Sequence, residues 1–165
     1  MSAHRTIAQS HRLRLGRHSV AGQPYLLTFT TARRQPFFRG FDAGCQVSRI
    51  LSAAETWPHG ALLAWVLMPD HWHGLFVLGD GEDLSRSVAR AKSAPTRQWH
   101  FHAGSGPLWA PGFHDHGLRR EESLLHVARY IVLNPVRAGL VRTCADYPFW
   151  DAVWLESQAV GYAGE

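Results

Sequence analysis

The stretch Met68-Pro69-Asp70-His71-Trp72-His73-Gly74-Leu75-Phe76-Val77-Leu78 decides the fold of this chain. Its second half is an apolar run typical of a buried strand, and another apolar run, Ala61 to Leu67, comes just before it. Only Pro69-Asp70 separates the two runs, and these two residues suit a turn. The sequence therefore predicts a β-hairpin.

Two histidines at the start of the second strand are candidate metal ligands. His71 and His73 are two residues apart, so a strand presents both to the same face of the sheet. Two neutral imidazoles can bind one divalent cation, while a third ligand and substrate oxygens complete its shell. Gly74, next to the pair, is expected to leave room for a ligand or a backbone to approach. The alternative is that His-x-His is an accident of the surface.

Composition describes a globular chain with a core. With 165 residues, 45% hydrophobic and 12% aromatic, the chain fits one domain and is not disordered throughout. Cys45 and Cys144 lie far apart without the spacing of a metal site, and there is no signal sequence or apolar run of membrane length. We expect a cytoplasmic protein with reduced thiols and no membrane partner.

Positive charge is concentrated at the N-terminal end. Residues 1–50 hold eight arginines and one acidic residue, Asp42, whereas the remainder holds nine basic and twelve acidic residues. Sixteen of the 17 basic residues are arginine, whose guanidinium binds phosphate and stacks on bases, so nucleic acid is the expected partner. The alternative is a solvated tail in an arginine-biased sequence.

The remaining elements follow from periodicity and turn residues. We divide the single domain into a basic arm (1–22), a core (23–150) and a C-terminal tail (151–165), and we expect the aromatic tail from Tyr147 to Leu155 to pack on the surface of the core. In order, the sequence predicts a strand over Gln23–Thr31, a helix N-capped by Asp42 and ending before Pro58, the hairpin, a helix over Asp83–Ser93 broken by Pro95, a short strand over Gly112–His116 and a last helix beginning near Glu121. This order predicts an α+β fold, a ferredoxin-like antiparallel sheet with helices on its faces plus an added C-terminal helix.

The last helix has two contrasting faces. Its apolar face contains Leu124, Leu125, Val127, Ala128, Ile131 and Val132. The opposite face contains His126, Tyr130, Asn134 and Arg137. Tyr130 and Asn134 are four residues apart and so lie one turn apart, and Pro135 should end or kink the helix and leave the Asn134 amide free to coordinate or hydrogen-bond. The alternative for Tyr130 is a half-buried structural tyrosine.

A second histidine pair lies on the short strand before this helix. His114 and His116 should share a face, as His71 and His73 do. We interpret them first as surface histidines. A strand beside the site or an edge that contacts phosphate is the functional alternative.

Three motifs together resemble a known family. They are Leu67-Met68-Pro69-Asp70-His71-Trp72-His73, Gly112-Phe113-His114-Asp115-His116 and the run from Arg129 to Val141, RYIVLNPVRAGLV. In this order they resemble the REP-associated tyrosine transposases, which are IS200-like members of the single-tyrosine HUH nucleases, where U is a hydrophobic residue. The resemblance extends from about Tyr25 to Trp150. This chain has Asp70 where many relatives have asparagine.

The resemblance implies a function and roles for individual residues. It implies a single-strand DNA endonuclease and strand transferase that forms a 5′-phosphotyrosine intermediate, with single-stranded or hairpin DNA from repeats as its substrate. Tyr130 matches the catalytic tyrosine, His71 and His73 match the metal-binding pair, and Asn134 stands where a third ligand is found. Mg²⁺ or Mn²⁺ is the expected ion, because a phosphate site rich in oxygen ligands suits them. Related enzymes are monomers or homodimers, and both states stay open.

Several basic residues are predicted to bind the DNA. They are Arg12, Arg14, Arg17, Arg33, Arg34, Lys92 and Arg137. Lys92, with Ser93, resembles a basic patch of the family.

Two other functions compete with the transposase. One is a catalytically inactive module that binds hairpin or single-stranded nucleic acid. The other is a metal-dependent hydrolase that uses water, in which Tyr130 is only structural.

Overall fold

The structure is a computed structural model that describes residues 19–103 and 106–154. Its strands are β1 Pro24–Thr30, β2 Gly60–Met68, β3 His71–Leu78, β4 His114–Gly117 and β5 Trp150–Ala152, and its helices are α1 Phe41–Ser52, α2 Leu84–Ala103, α3 Leu124–Val132 and α4 Asn134–Arg137. The strands form one antiparallel sheet in the order β4-β1-β3-β2-β5. Within the described ranges, no helix is long and apolar enough to cross a membrane.

The predicted hairpin forms the middle of this sheet. β2 and β3 are joined by Pro69-Asp70, and Met68 lies opposite His71. On its other side β3 pairs with β1, where Thr30 lies opposite His71. The strand that carries the histidines is therefore held from both sides.

The larger core lies on one face of the sheet, under α1 and α2. Trp72 of β3 is fully buried there, stacked on Phe29 at 4.8 Å and on Trp57 at 5.6 Å between ring centroids. Val47 of α1 and Val88 of α2 belong to the same core. Neighbouring strand residues point to opposite faces of a sheet. Trp72, between the two histidines, therefore packs into the core on the face opposite to them.

A second, smaller core lies on the histidine face of the sheet, under α3. Ala128 and Ile131 of α3 are buried against Leu75 of β3 and Val66 of β2. Leu75 lies two residues after His73 and therefore on the same face. The apolar side of the added helix covers the sheet immediately beside the histidine pair.

This architecture confirms the predicted fold. The first four strands have the ferredoxin-like order β4-β1-β3-β2, with both crossing helices on one face and α3 on the other. β5 was not predicted: part of the expected aromatic tail pairs with β2, with Trp150 opposite Val66. Tyr147, just before β5, packs against both cores.

Two details of the helix predictions are wrong. Asp42 lies in the first turn of α1, which is preceded by Gly40 as N-cap. Pro95 does not break α2, which continues to Ala103. Pro95 has no N–H to donate to the preceding turn, but Val88, Ala91 and Trp99 pack in one core and hold both halves of α2 in line. The Thr96 hydroxyl donates to the Lys92 carbonyl oxygen inside the continuous helix.

Candidate functional site

His71 and His73 lie side by side at the start of β3. Both are half-buried, and their ring centroids are 4.6 Å apart with the rings almost perpendicular. The prediction that they share a face is confirmed by the strand register. Two imidazoles whose nitrogens lie about 2.1 Å from one cation have centroids roughly 4 to 6 Å apart, so the observed spacing suits a common ion.

Each histidine has a partner at its Nδ1 atom. The Asp70 Oδ1 atom lies 2.6 Å from His71 Nδ1, and the Thr28 Oγ1 atom lies 2.7 Å from His73 Nδ1. Metal-binding histidines in proteins usually donate one ring N–H to such a group and bind the ion through the other nitrogen. The arrangement leaves the Nε2 atoms of both rings for a cation.

The pKa values of His73 and Asp70 are both lowered, so His73 is neutral and Asp70 is ionised near pH 7. Burial, with smaller effects from the charges of His71, Arg137 and Arg34, lowers the pKa of His73 to about 3. Its ring is therefore neutral near pH 7, as metal binding requires. Burial alone would raise the pKa of Asp70, but the hydrogen bond and charge of His71, together with Arg34, lower it on balance.

These donors fit a divalent cation that takes its remaining ligands from elsewhere. Among residues 19–103 and 106–154 there is no cluster of three His, Cys, Asp or Glu side chains that could hold a metal ion. Two imidazoles form an incomplete shell, so an amide oxygen, water or a substrate oxygen must supply the rest.

Arg137 packs against Tyr130. The Tyr130 ring is half exposed, and the Arg137 guanidinium carbon lies 3.7 Å from its centroid. The Arg137 Nη1 atom also donates to the Tyr130 carbonyl oxygen at 3.0 Å, which fixes the arginine across the end of the helix. The charge of Arg137 also makes a small contribution to the lowered pKa of His73.

The predicted faces of the last helix are largely confirmed. Ala128 and Ile131 are buried against the sheet, whereas His126 and Tyr130 are exposed. Leu125, predicted to be apolar-facing, is also exposed. It is thus the apolar face of α3, not the face with Tyr130, that covers the histidine strand, and Tyr130 lies on the solvent side of the helix.

Asn134 lies at a break between two helices, as was expected from the proline that follows it. α3 ends at Val132, and α4 begins at Asn134 with Pro135 in its first turn. Asn134 is half-buried, and its carbonyl accepts from the Ala138 N–H. Its role as third metal ligand stays a prediction.

The arginines of the loop after β1 lie beside the pair. Arg34 Nη1 is 3.3 Å from Asp70 Oδ2, so this guanidinium reaches the partner of His71. Arg33 and Arg34 are exposed and both have left-handed backbone, with φ of 55° and 53°. Arg34 therefore places a positive charge next to the partner of His71, where a phosphate could be bound.

Lys92, another predicted DNA-binding residue, makes contacts within the fold. Lys92 Nζ donates to the carbonyl oxygens of Ala110 and Gly112, both at 2.7 Å, and so ties the loop before β4 to α2. Its DNA contact stays a prediction. The predicted basic arm, with Arg12, Arg14 and Arg17, lies outside the described residues, apart from residues 19–22.

The interpretation of Gly74 as room for a ligand is wrong. Gly74 is buried on the face opposite the histidines, and a Cβ atom added there would collide with the Trp72 indole. The glycine makes space for the core tryptophan, not for a ligand. His114 and His116 do share the histidine face, as the register with β1 shows, and both are exposed.

Sequence reasoning missed the residues that hold the histidines in place. Thr28 and Asp70 were seen only as a strand residue and a turn residue. Asp70 could have been found, because it precedes His71 directly. Thr28 is 45 residues from His73 and becomes its neighbour only through the pairing of β1 with β3.

Comparison with known proteins supports the resemblance predicted from the motifs. No family model matches the chain. A curated relative, the REP-associated tyrosine transposase of Escherichia coli (strain K12), is 34% identical over 86 residues, which are 52% of this chain and 50% of that protein. The chain thus matches about half the length of this relative.

Two solved structures share the fold. The structure of a REP-associated tyrosine transposase bound to a REP hairpin covers all of this chain and 93% of its own, with 24% identity and a TM-score of 0.67. A crystal structure of a candidate transposase from Deinococcus radiodurans R1 covers 70% of this chain and 93% of its own, with 22% identity and a TM-score of 0.51. The chain therefore has the fold of these transposases, and its resemblance to the REP-associated group is confirmed.

Proposed function

We propose that the chain is a metal-dependent DNA transposase that cleaves and rejoins single-stranded or hairpin repeat DNA through a 5′-phosphotyrosine intermediate. The proposal is carried by two neighbouring histidines of β3 whose Nδ1 atoms already have partners, on the face of the sheet that is covered by the helix carrying the exposed Tyr130. The curated relative is a REP-associated tyrosine transposase, and a solved transposase of the same fold is bound to a REP hairpin.

The residues of the site have separable tasks in this reaction. His71 and His73 would hold Mg²⁺ or Mn²⁺ through their Nε2 atoms, with Asn134 as the proposed third ligand. A divalent cation so bound would offset the negative charge on the oxygens of the scissile phosphate. Arg34, which contacts Asp70, and Arg137, which packs on the Tyr130 ring, would add positive charge near that phosphate.

Tyr130 supplies the nucleophile. Its hydroxyl oxygen attacks the phosphorus, a phosphotyrosine bond forms, and the bond from phosphorus to the 3′-oxygen breaks, so that the upstream strand leaves with a free 3′-hydroxyl. The intermediate keeps the energy of one phosphodiester. Attack by a 3′-hydroxyl on the phosphotyrosine reverses the step, rejoins DNA and returns the proton to Tyr130.

The position of a label on the DNA tests this chemistry. A hairpin oligonucleotide labelled at its 3′ end should give a denaturation-resistant adduct with the protein in Mn²⁺, whereas the same oligonucleotide labelled at its 5′ end should give a free labelled fragment. Tyr130→Phe should fold, bind DNA and give no adduct. Tyr147→Phe is the matched control and should keep the adduct.

The competing functions predict other outcomes. If the unmutated protein bound the DNA reversibly and did not cleave it, the result would support the inactive binding module. Cleavage of the DNA without any adduct would support the water-using hydrolase. An adduct retained by Tyr130→Phe would remove Tyr130 from the role of nucleophile.

A further inference from the structure

The two histidines are held by partners of different chemistry. The partner of His71 is the Asp70 carboxylate, which when ionised can only accept a hydrogen bond. The partner of His73 is the Thr28 hydroxyl, which can donate or accept. A carboxylate therefore dictates which nitrogen of its neighbour carries the proton, whereas a hydroxyl leaves that choice open and restrains only the ring orientation.

We propose that Asp70 is a positioning residue: it holds the proton of His71 on Nδ1 and so keeps Nε2 unprotonated for a divalent cation. Thr28 restrains the orientation of the His73 ring without setting its tautomer. The proposal rests on the metal-binding role of the histidine pair in the proposed function.

The backbone around Asp70 is built to aim this carboxylate. Thr31 is fully buried, and its backbone N–H donates to the Asp70 carbonyl oxygen at 2.9 Å. Its hydroxyl lies between two acceptors, the carbonyl oxygens of Gln35 at 2.7 Å and of Asp70 at 3.0 Å. The Phe38 N–H donates to the carbonyl oxygen of Pro69, the other turn residue. The loop after β1 is therefore fastened to the turn before His71. This restricts the positions that the Asp70 carboxylate can take and holds it next to His71.

Arg34 contributes less than this backbone clamp. Its side chain is 66% exposed, against 27% for Asp70 and 17% for His71, and its contact with Asp70 is the longer one. An exposed ion pair of this kind is screened by water and salt. The position of Asp70 is therefore set mainly by the hydrogen bond from Thr31, and the ion pair with Arg34 contributes less.

Asp70→Asn is the informative change, because it keeps the shape and removes the acceptor-only character. The asparagine can turn its NH₂ group toward Nδ1, which moves the proton of His71 to Nε2 and blocks the ligand. Loss of such an outer partner typically weakens metal binding about 10- to 100-fold. We expect a loss of this size for Mn²⁺, followed by electron paramagnetic resonance, and a smaller loss for Arg34→Gln.

Two controls separate positioning from general stability. Glu122→Gln removes a carboxylate next to another histidine, His116, at 3.1 Å, and should leave Mn²⁺ affinity unchanged. Thr28→Ser keeps a hydroxyl opposite His73 and should bind Mn²⁺ as the natural protein does, whereas Thr28→Val should bind it more weakly.

A second readout needs neither metal nor DNA. In the metal-free protein, well above the pH at which free histidine titrates, long-range ¹H–¹⁵N spectra should show His71 with its proton on Nδ1, assigned with His71→Gln. The Asp70→Asn variant should show the proton mainly on Nε2, because a loss of affinity of about 10-fold or more requires that the form with a free Nε2 becomes the minor one.

A proton on Nε2 of His71 in the natural protein would overturn the proposal, and so would Mn²⁺ affinity unchanged by Asp70→Asn. If the natural protein bound no Mn²⁺ at all, the metal-dependent function would fail, and the spectra would still decide the role of Asp70.

Discussion

Replacing Gly74 with alanine should destabilise the fold without weakening metal binding by the molecules that fold. The new Cβ atom would lie 2.6 and 2.7 Å from Cζ2 and Cζ3 of Trp72, and closer still to Cη2. Unstrained carbon–carbon contacts are about 3.5 to 4.0 Å, so the indole must retreat by about 1 Å. Its stacking on Phe29 and Trp57 leaves it no free side to move into.

The expected cost follows from this confinement. Forcing an extra methyl group into a packed core costs about 1 to 3 kcal/mol, and the fully buried Trp72 places Gly74→Ala at the upper end. For a domain of this length, about 3 kcal/mol corresponds to a fall in melting temperature of about 6 to 12 °C. Urea unfolding followed by tryptophan fluorescence measures the free energy, and Mn²⁺ titration below the transition measures the site.

Two comparisons make the result decisive. Gly106→Ala is the matched control, because no atom lies within 4 Å of its added Cβ, and it should be nearly neutral. In a Trp72→Phe background the clashing part of the indole is gone, so Gly74→Ala should cost clearly less there. Unchanged stability together with lost Mn²⁺ affinity would refute this reasoning and restore Gly74 as a residue that makes room for a ligand.

The other predictions concern pH and backbone strain. Burial raises the pKa of Tyr147 to about 12, so its neutral form, which donates to the Leu67 carbonyl, is favoured by folding. Its contribution to the free energy of unfolding should be complete below about pH 10 and lost between about pH 10 and 12, and Tyr147→Phe should lack this loss in urea titrations across that range. At Arg33, where φ is 55°, the glycine variant should be more stable than the alanine variant by about 1 kcal/mol. The opposite order in thermal unfolding would mean that this backbone is not strained.

Much of the site could be predicted because its signals are local. The two-residue alternation of β3 is enough to place His71 and His73 on one face, and the spacing of α3 is enough to separate Tyr130 from the buried Ala128 and Ile131. Pro135 ends the helix for a reason contained in the residue itself.

Other features depended on how distant segments meet. Pro95 was expected to break α2, but a core formed by several elements holds the helix straight through it. Gly74 was expected to leave room for a ligand, because the sequence alone does not show that the Trp72 indole fills the space beside it. β5 pairs with the edge of β2, and the residues of β5 alone do not indicate that this edge is available.

The sequence by itself determined the hairpin, the shared face of the histidines and the two sides of the tyrosine helix, since each depends on residues a few positions apart. Only the tertiary structure decided that Thr28 meets His73, that Thr31 fastens the turn of Asp70, and that Arg137 packs on the Tyr130 ring. The physical reason is that these contacts require a strand register and a helix position. Both are set by the packing of two cores against one sheet, a sum over many residues that no single stretch contains.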